Sequence, residues 1–261
     1  MIVITDDVNY KNIANAIREK NGLDVQYTPS EMPDAIISLS TGDNSDVDNI
    51  IDGSVLSNYD DYVGADIVTD VTRIKNYAVQ LSPINSITAL SCTYIGIFSF
   101  AVSKIFPPIT VNMPLLKEAG NYAFSYRKFA CDTTFESLQT IGAGCFEHCA
   151  GSRITFKLSL SVGSGSFDGC CIEILDFLTI KGGIKSGYLN VDTSSTKAII
   201  MRNDTMVTLS STSGLPSTIP DTSDLYIYVP SSLVDTYKSG TNWTLYADRI
   251  RAIEDYPDIC G

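Results

Sequence analysis

The sequence is poor in basic residues. It has 18 lysines and arginines against 30 aspartates and glutamates, which gives a formal net charge of −12 at pH 7. Such a charge repels phosphate groups, so nucleic acid is not an expected partner. Because 44% of the residues are apolar and only 18% are charged, the composition is that of a folded chain and excludes global disorder.

Long apolar runs are also missing. No stretch approaches the roughly 18 uninterrupted apolar residues that a membrane-spanning helix needs, so no membrane span is expected. The first residues read MIVITDDVNYKN, without the basic start and apolar centre of a secretory leader. We therefore expect a chain that stays in the cytoplasm of its producer or leaves by another export route.

Histidine occurs only once, at position 148. Any Ser-His-Asp or Cys-His catalytic arrangement would have to use His148. This residue lies inside a repeated motif, where a turn residue is the simpler interpretation. We therefore expect no enzymatic activity and no catalytic residue, and replacing His148 with alanine should leave the biological activity nearly unchanged.

Cysteines number seven, and an odd count is a poor basis for a disulfide framework. We interpret most of them as reduced, buried apolar side chains. Residues 41–62 contain spaced aspartates, but they lack the ligand and closing glutamate of a calcium loop. A zinc site with loose spacing could be assembled from Cys145, His148, Cys149, Cys170 and Cys171. No metal and no cofactor is expected.

One short motif recurs along the middle of the chain. An apolar anchor residue is followed five positions later by a second apolar residue, at intervals of 21 to 24 residues. In four copies the second position is glycine, which we expect to adopt a positive φ in a tight turn. The anchors are Ile74, Ile95, Ala119, Ile141 and Val162, with a weaker sixth copy at Ile184. The partners, expected to stack as one buried structural ladder, are Val79, Phe100, Phe124, Phe146 and Phe167.

Two copies show the motif in full. They read IGAGCFEHC from Ile141 and VGSGSFDGC from Val162, and this pattern resembles the BspA-like (Treponema-type) leucine-rich repeat. Earlier copies depart from it, with Lys75 in the glycine position and Ser103 and Arg127 in the cysteine position. The resemblance implies an irregular solenoid, in which stacked coils bury a continuous core. Family members are mostly surface and adhesion proteins, which implies binding.

The flanking parts of the chain differ from the repeats. Strands are predicted at 198–201, 206–209 and 225–229, followed by a helix capped by Ser231 or Ser232 that ends at Gly240. Tyr237, Trp243 and Tyr246 are expected in the core of a C-terminal cap. The predicted fold is mostly β and has four parts: a helical module at 1–40, a linker at 41–66, the leucine-rich-repeat solenoid at 67–190 and an α+β cap at 191–261.

Residues 1–40 are a candidate attachment module. Two apolar stripes recur there at helical spacing, and two short helices bury too little surface to be stable alone. The alternative is that these helices cover the open end of the first repeat near Ile74. The candidate docking residues are Tyr10, Ile13, Ile17, Met32, Ile36 and Leu39.

The segments IREKNG at 17–22 and PSEMPDAI at 29–36 are similar to a short unit at the start of phage tail and baseplate-associated proteins. This resemblance implies a phage or prophage tail protein, assembled in the host cytoplasm and located in the virion. Its partners would be other tail or baseplate proteins, bound through residues 1–40, and a host surface protein or polysaccharide. The alternative is a leucine-rich-repeat adhesin at the bacterial cell surface. A homo-oligomer such as a trimer stays open, since no heptad demands it.

Overall fold

The computed structural model describes residues 50–51, 64–102 and 106–261. Strands outnumber helices in this part of the chain, which is mostly β, and the paired strands run parallel. The strands are β1 (Ile50–Ile51), β2 (Asp66–Thr69), β3 (Arg73–Ile74), β4 (Ser86–Ala89), β5 (Tyr94–Ile95), β6 (Thr110–Asn112), β7 (Glu118–Ala119), β8 (Thr133–Phe135), β9 (Thr140–Ile141), β10 (Ala150–Val162), β11 (Cys171–Lys181), β12 (Ala198–Met201), β13 (Tyr226–Val229) and β14 (Ile250–Ala252).

Helices occur near the C-terminal end of the described residues. The α-helices are α1 (Val234–Ser239) and α2 (Pro257–Cys260), and the 3-10 helices are Thr212–Gly214, Ser231–Leu233, Trp243–Arg249 and Ile253–Asp255. Within the described ranges, no helix is long and apolar enough to cross a lipid bilayer. The candidate docking residues between Tyr10 and Leu39, like the rest of the predicted module at 1–40, lie outside the described residues.

The motif anchors pair with one another from repeat to repeat. Ile74 of β3 is the partner of Ile95 in β5, which pairs with Ala119 in β7. Ala119 pairs in turn with Ile141 of β9, and Ile141 pairs with Val162 at the end of β10. Each repeat therefore lies directly on the next one, in the register that the sequence period predicts.

A second ladder runs along another side of the repeats. Strands β2, β4 and β6 pair in parallel, and isolated bridges join Ile109 to Phe129 and Lys128 to Ala150. Strand β10 is long enough to pair with β8 near its middle and with β9 at its end. The two ladders thus meet in β10 and continue together into β11.

Parallel pairing extends beyond the residues predicted for the solenoid. β1, which lies inside the predicted linker at 41–66, pairs with β3. Strands β12, β13 and β14, which lie in the predicted α+β cap at 191–261, follow β11 in the same sheet. The sheet therefore continues across both predicted boundaries.

The predicted strand at 206–209 is wrong. Leu209 forms only an isolated bridge with Ile184. The backbone of Val207 is instead bound by two side chains, because the Tyr237 hydroxyl accepts from its N–H at 2.8 Å and the Trp243 Nε1 donates to its carbonyl at 2.8 Å. Side-chain hydrogen bonds from distant residues replace a strand partner at this position.

The predicted helix cap is also wrong in detail. Helix α1 begins at Val234 after the 3-10 turn Ser231–Leu233, and no side chain caps its start. The carboxylate of Glu254 accepts a hydrogen bond from the Ser231 N–H at 2.9 Å. The helix does end before Gly240, as its sequence predicts.

Two columns of phenylalanine rings fill the core. The first column consists of Phe100, Phe124, Phe146 and Phe167, and the centroids of successive rings are 5.4, 5.3 and 5.4 Å apart. Val79, which has the same motif position in the first repeat, is also buried. In the second, the centroids are 5.8 and 5.1 Å apart; its rings are Phe135, Phe156 and Phe177. The columns meet edge-on, as aromatic rings prefer, and the second column was not predicted.

Candidate binding surface

Each anchor is followed by a turn that is hydrogen-bonded to the next repeat. Alternate residues of the first turn donate hydrogen bonds to the second turn. The Tyr77 N–H donates to the carbonyl of Ile97 at 2.8 Å, and the Val79 N–H donates to the carbonyl of Ser99 at 2.8 Å. Phe98 donates in the same way to the third turn, at 3.0 Å. The backbone of these turns is thus satisfied between repeats, as in a sheet, and their side chains are left to point outwards or inwards.

The glycine that follows the anchor serves close packing, and the predicted positive φ is wrong. None of Gly96, Gly120, Gly142 and Gly163 has a positive φ. A Cβ added to Gly163 would lie 2.6 Å from the backbone nitrogen of Ala143 in the preceding repeat. A side chain at this position would therefore push neighbouring repeats apart.

The left-handed backbone lies three residues after the anchor, which is two positions beyond the glycine that was expected to adopt it. Six consecutive repeats of the described chain share it, with φ of 63°, 53°, 56°, 60°, 65° and 74°, at Tyr77, Phe98, Tyr122, Gly144, Gly165 and Gly187 respectively. A side chain other than glycine costs about 1–2 kcal/mol in this conformation. The first three repeats bear that cost although glycine serves in the last three.

The three aromatic residues at this position form a surface that we name the aromatic ridge: Tyr77, Phe98 and Tyr122. The Tyr77 and Phe98 ring centroids are 5.7 Å apart with planes 11° from parallel, and those of Phe98 and Tyr122 are 4.8 Å and 8°. Tyr77 is 52% exposed, while Phe98 and Tyr122 are half-buried. The buried phenylalanine column fills the core, and these rings lie outside it.

Beyond Tyr122 the same row becomes bare backbone. A Cβ on Gly144 would overlap the Tyr122 ring, whereas a Cβ on Gly165 would meet no atom within 4 Å. Gly144 is buried under that ring, and we name the two partly exposed glycines that follow, Gly165 and Gly187, the glycine shelf. The ridge, Gly144 and the shelf together form one continuous row along six repeats.

A second row lies four residues further along each turn. It begins with Leu81, which is 47% exposed, and continues with Tyr126 and His148, whose ring centroids are 4.7 Å apart. The His148 ring lies where a Cβ on Gly169 would be. The histidine therefore packs as one ring in a stack of turn side chains.

The cysteines proposed for a zinc site lie mainly in the core. Cys145, Cys149 and Cys170 are fully buried and Cys171 is half-buried. Burial raises the pKa of the Cys170 thiol to about 12, and that of Cys149 well above its usual value. Zinc binds the thiolate form, which this burial disfavours. In the described ranges, no group of three or more His, Cys, Asp and Glu side chains could hold a metal ion.

The cysteine position of the motif supplies a hydrogen-bond donor to the preceding repeat. The Cys149 thiol donates to the carbonyl of Phe124 at 2.9 Å. Arg127 occupies this position one repeat earlier. Its Nε donates to the carbonyl of Phe100 at 2.6 Å, and its Nη2 donates to the carbonyl of Ser82 at 2.9 Å. Burial lowers the pKa of Arg127 to about 10. The departure from the motif at Arg127 thus keeps the same role with a longer donor.

A charged cluster near α2 has a structural role. Asp176 pairs with Arg153 and with Arg202, whose Nε lies 2.8 Å from the carboxylate. The two arginines also donate to the carbonyls of Ile259 and Cys260. The cluster therefore fastens the last residues to β11, and its groups are occupied by one another.

The family model for the BspA type leucine rich repeat region matches residues 50–184 in six copies. This range covers half of the chain, from β1 to the sixth anchor, and it includes both the ridge and most of the turns described above. Among curated proteins, none matches the chain. The resemblance of residues 17–36 to phage tail proteins finds no support in these comparisons.

Proposed function

Because the chain belongs to the BspA-type leucine-rich-repeat family, we propose that it is a non-enzymatic binding protein of the bacterial cell surface, an adhesin. The observation that carries the proposal is the aromatic ridge. Its residues stand in a strained backbone conformation and leave part of their surface in solvent. Residues that cost folding energy without filling the core are best explained by a contact with another molecule.

In this proposal the repeats form an irregular solenoid that is closed by residues 191–261. A repeat buries its apolar side only against a neighbour, so the last repeat needs a cover. Tyr237, Trp243 and Tyr246 are buried side chains of this region, and each makes a hydrogen bond to backbone between residues 207 and 216. These contacts support a cap that is fixed to the repeats.

Tyrosine and phenylalanine suit a recognition surface. They offer a large contact area and lose little side-chain entropy on binding. Such residues are enriched at the centres of protein interfaces, where a few of them supply most of the binding energy. The row of Tyr77, Phe98 and Tyr122 concentrates three of them on one side of consecutive repeats.

The phage-tail interpretation is not adopted. It depends on residues 1–40, which lie outside the described residues, and the comparisons give it no support. The adhesin, which the sequence offers as the alternative, agrees better with the family match. The place of the chain at the cell surface, its export route and its partners remain part of the proposal.

Two measurements test the proposed function. Antibodies against the purified chain should label intact cells of the producing bacterium, and the labelled chain should bind cultured host cells in flow cytometry. A triple variant, Tyr77→Asn with Phe98→Asn and Tyr122→Asn, keeps the left-handed backbone because asparagine tolerates it. We expect it to bind at least about tenfold more weakly, since interface aromatic residues often contribute over 1 kcal/mol each.

Matched variants provide the controls. Leu90→Asn removes an apolar side chain that is 55% exposed on another part of the repeats, and it should leave binding unchanged. His148→Ala should do the same, because a binding protein needs no general base. If intact cells are not labelled, the surface location is wrong. If a folded His148→Ala variant loses activity, a catalytic or metal-dependent role has to be reconsidered.

A further inference from the structure

The aromatic ridge presents ring edges to the solvent. Phe98 is stacked between Tyr77 and Tyr122, with ring planes within 11° of parallel on both sides. The second face of Tyr122 lies against Gly144. Both faces of Phe98 and Tyr122 are therefore covered by neighbouring repeats, and a ligand meets the rims of these rings.

Ring edges select for a particular kind of ligand. The face of an aromatic ring is electronegative and its edge is electropositive. Sugars pack their C–H groups on ring faces, and both faces of Phe98 and Tyr122 are covered. An edge instead attracts the face of another aromatic ring or a carbonyl oxygen. A polypeptide supplies both groups.

The glycine shelf gives room for a chain to lie beside the ridge. No atom comes within 4 Å of the Cβ position of Gly165, so a main chain can approach the backbone closely there. Leu81 adds an exposed apolar side chain in the neighbouring row. The row thus combines an apolar ridge with a flat continuation, which suits an extended segment that crosses several repeats.

The charges around the row indicate the sign of the charge that the partner carries. Glu147 and Asp168 lie in the turns beside the shelf, where Glu147 accepts from Ser125 at 3.5 Å and Asp168 from Asn190 at 2.7 Å. Lys75 and Lys185 lie two residues before Tyr77 and Gly187, at the two ends of the row. The chain as a whole has a formal net charge of −12, so a second copy would be repelled and a cationic partner would be attracted.

These observations have one common explanation. The geometry points to a cationic polypeptide segment with aromatic side chains as the partner, bound with its aromatic groups on the ridge and its basic groups toward Glu147 and Asp168. This inference rests on the proposed function, and it names the chemistry of the partner. A glycan and a second copy of this chain are the alternatives that the test has to separate from it.

A selection experiment tests the inference without a known partner. The full chain is immobilised and challenged with a messenger-RNA-displayed library of random 12-residue peptides, and in parallel it is applied to a glycan array. We expect the selected peptides to be enriched in aromatic residues and in lysine or arginine. A synthetic peptide of this kind should bind at least tenfold more weakly to the triple asparagine variant of the ridge.

Charge variants examine the second half of the inference. Glu147→Gln combined with Asp168→Asn should weaken the same peptide severalfold and reduce the salt dependence of its Kd, because a screened attraction is removed. Leu90→Asn is the matched control and should leave the Kd unchanged. The stability of each variant is measured by urea denaturation, so that a loss of binding is not confused with unfolding.

Each failure has a different meaning. Binding to glycans that depends on the ridge, without any selected peptide, would overturn the polypeptide partner and keep the proposed binding function. Peptides that bind the ridge variant equally well would overturn the location. Self-association of the unmodified chain that disappears in the ridge variant would identify a second copy as the ligand. If neither peptides nor glycans nor host cells bind, both proposals fall.

Discussion

At the third position after the anchor, successive repeats combine one backbone conformation with different side chains. Tyr77, Phe98 and Tyr122 adopt the same left-handed φ as Gly144 and Gly165. The hydrogen bonds between turns hold this backbone whichever side chain is present. The backbone at this position therefore accepts different side chains where space is open, as at Gly165, whereas the glycine two residues earlier is held by contacts with the preceding repeat.

A pair of substitutions separates these two kinds of glycine. Gly163→Ala should destabilise the chain by about 1–3 kcal/mol or more, because the new methyl group meets the backbone of the preceding repeat. Gly165→Asn, two residues away, should cost clearly less, since space is open there and asparagine tolerates a positive φ better than most residues. Urea denaturation of both variants gives the comparison. Equal stability of the two would show that the repeats are not tightly packed at Gly163.

For single residues, the sequence predicts which motif positions matter better than it predicts what the residues there do. The glycines after the anchors stand out in the sequence, but their spacing alone suggests tight turns. Their true role is close packing, and the distance between stacked repeats cannot be derived from a single sequence. The sequence also treats Arg127 as a departure from the motif. Its long side chain reaches two carbonyls in earlier repeats, and such a reach depends on stacking that local spacing cannot show.

At the level of secondary structure, the turns that follow the anchor strands contribute the rings of the first buried phenylalanine column. The period of the motif predicts the column that contains Phe124 and Phe146, because residues in equal positions of stacked repeats become neighbours. The second column also has a regular spacing, at Phe135, Phe156 and Phe177. That signal was present in the sequence, but it follows the strands β8, β10 and β11 instead of the anchors.

Truncation of one ring in the first column tests how much that column stabilises the fold. Phe146→Ala should lower the free energy of unfolding by about 3–5 kcal/mol, as for other buried phenylalanines. The ring is fully buried and contacts rings of both columns. Phe98→Asn, on the half-buried ridge, should cost far less in the same denaturation assay. A small effect of Phe146→Ala would mean that the column is loosely packed.

For the whole molecule, the sequence gives the mostly β fold and the stacked repeats but not their extent. The parallel sheet continues through β12, β13 and β14, whose spacing is irregular and whose residues lack the motif. The strand expected at 206–209 fails for a related reason. Its alternation is local, while the groups that bind Val207 come from Tyr237 and Trp243, about thirty residues away.

Alkaline pH should destabilise the folded chain. Burial raises the pKa of Cys92 to about 11, and those of Cys170 and Tyr237 to about 12. Groups with a raised folded pKa stabilise the fold fully below their unfolded pKa, and this contribution is lost as the pH rises through the folded value. Arg127, with its pKa lowered to about 10, acts in the opposite direction, but it is one group against several.

The unfolding midpoint in urea, measured under reducing conditions between pH 8 and pH 11, should therefore stay level at first and then fall. Cys170→Ala should make the decline shallower, because one buried thiol no longer has to stay protonated. A midpoint that rises throughout this interval would show that the buried arginine dominates, and the interpretation of the thiols would have to change.

The shared left-handed position gives the protein a way to acquire new specificity cheaply. A codon change there, from glycine to tyrosine or back, alters what the outside displays while the phenylalanine columns inside stay as they are. Duplication of one repeat copies a display site along with its support, in a register that the hydrogen-bonded turns enforce. Diversification of the surface and conservation of the fold are thereby assigned to different positions of the same short motif, so that selection can act on one without disturbing the other.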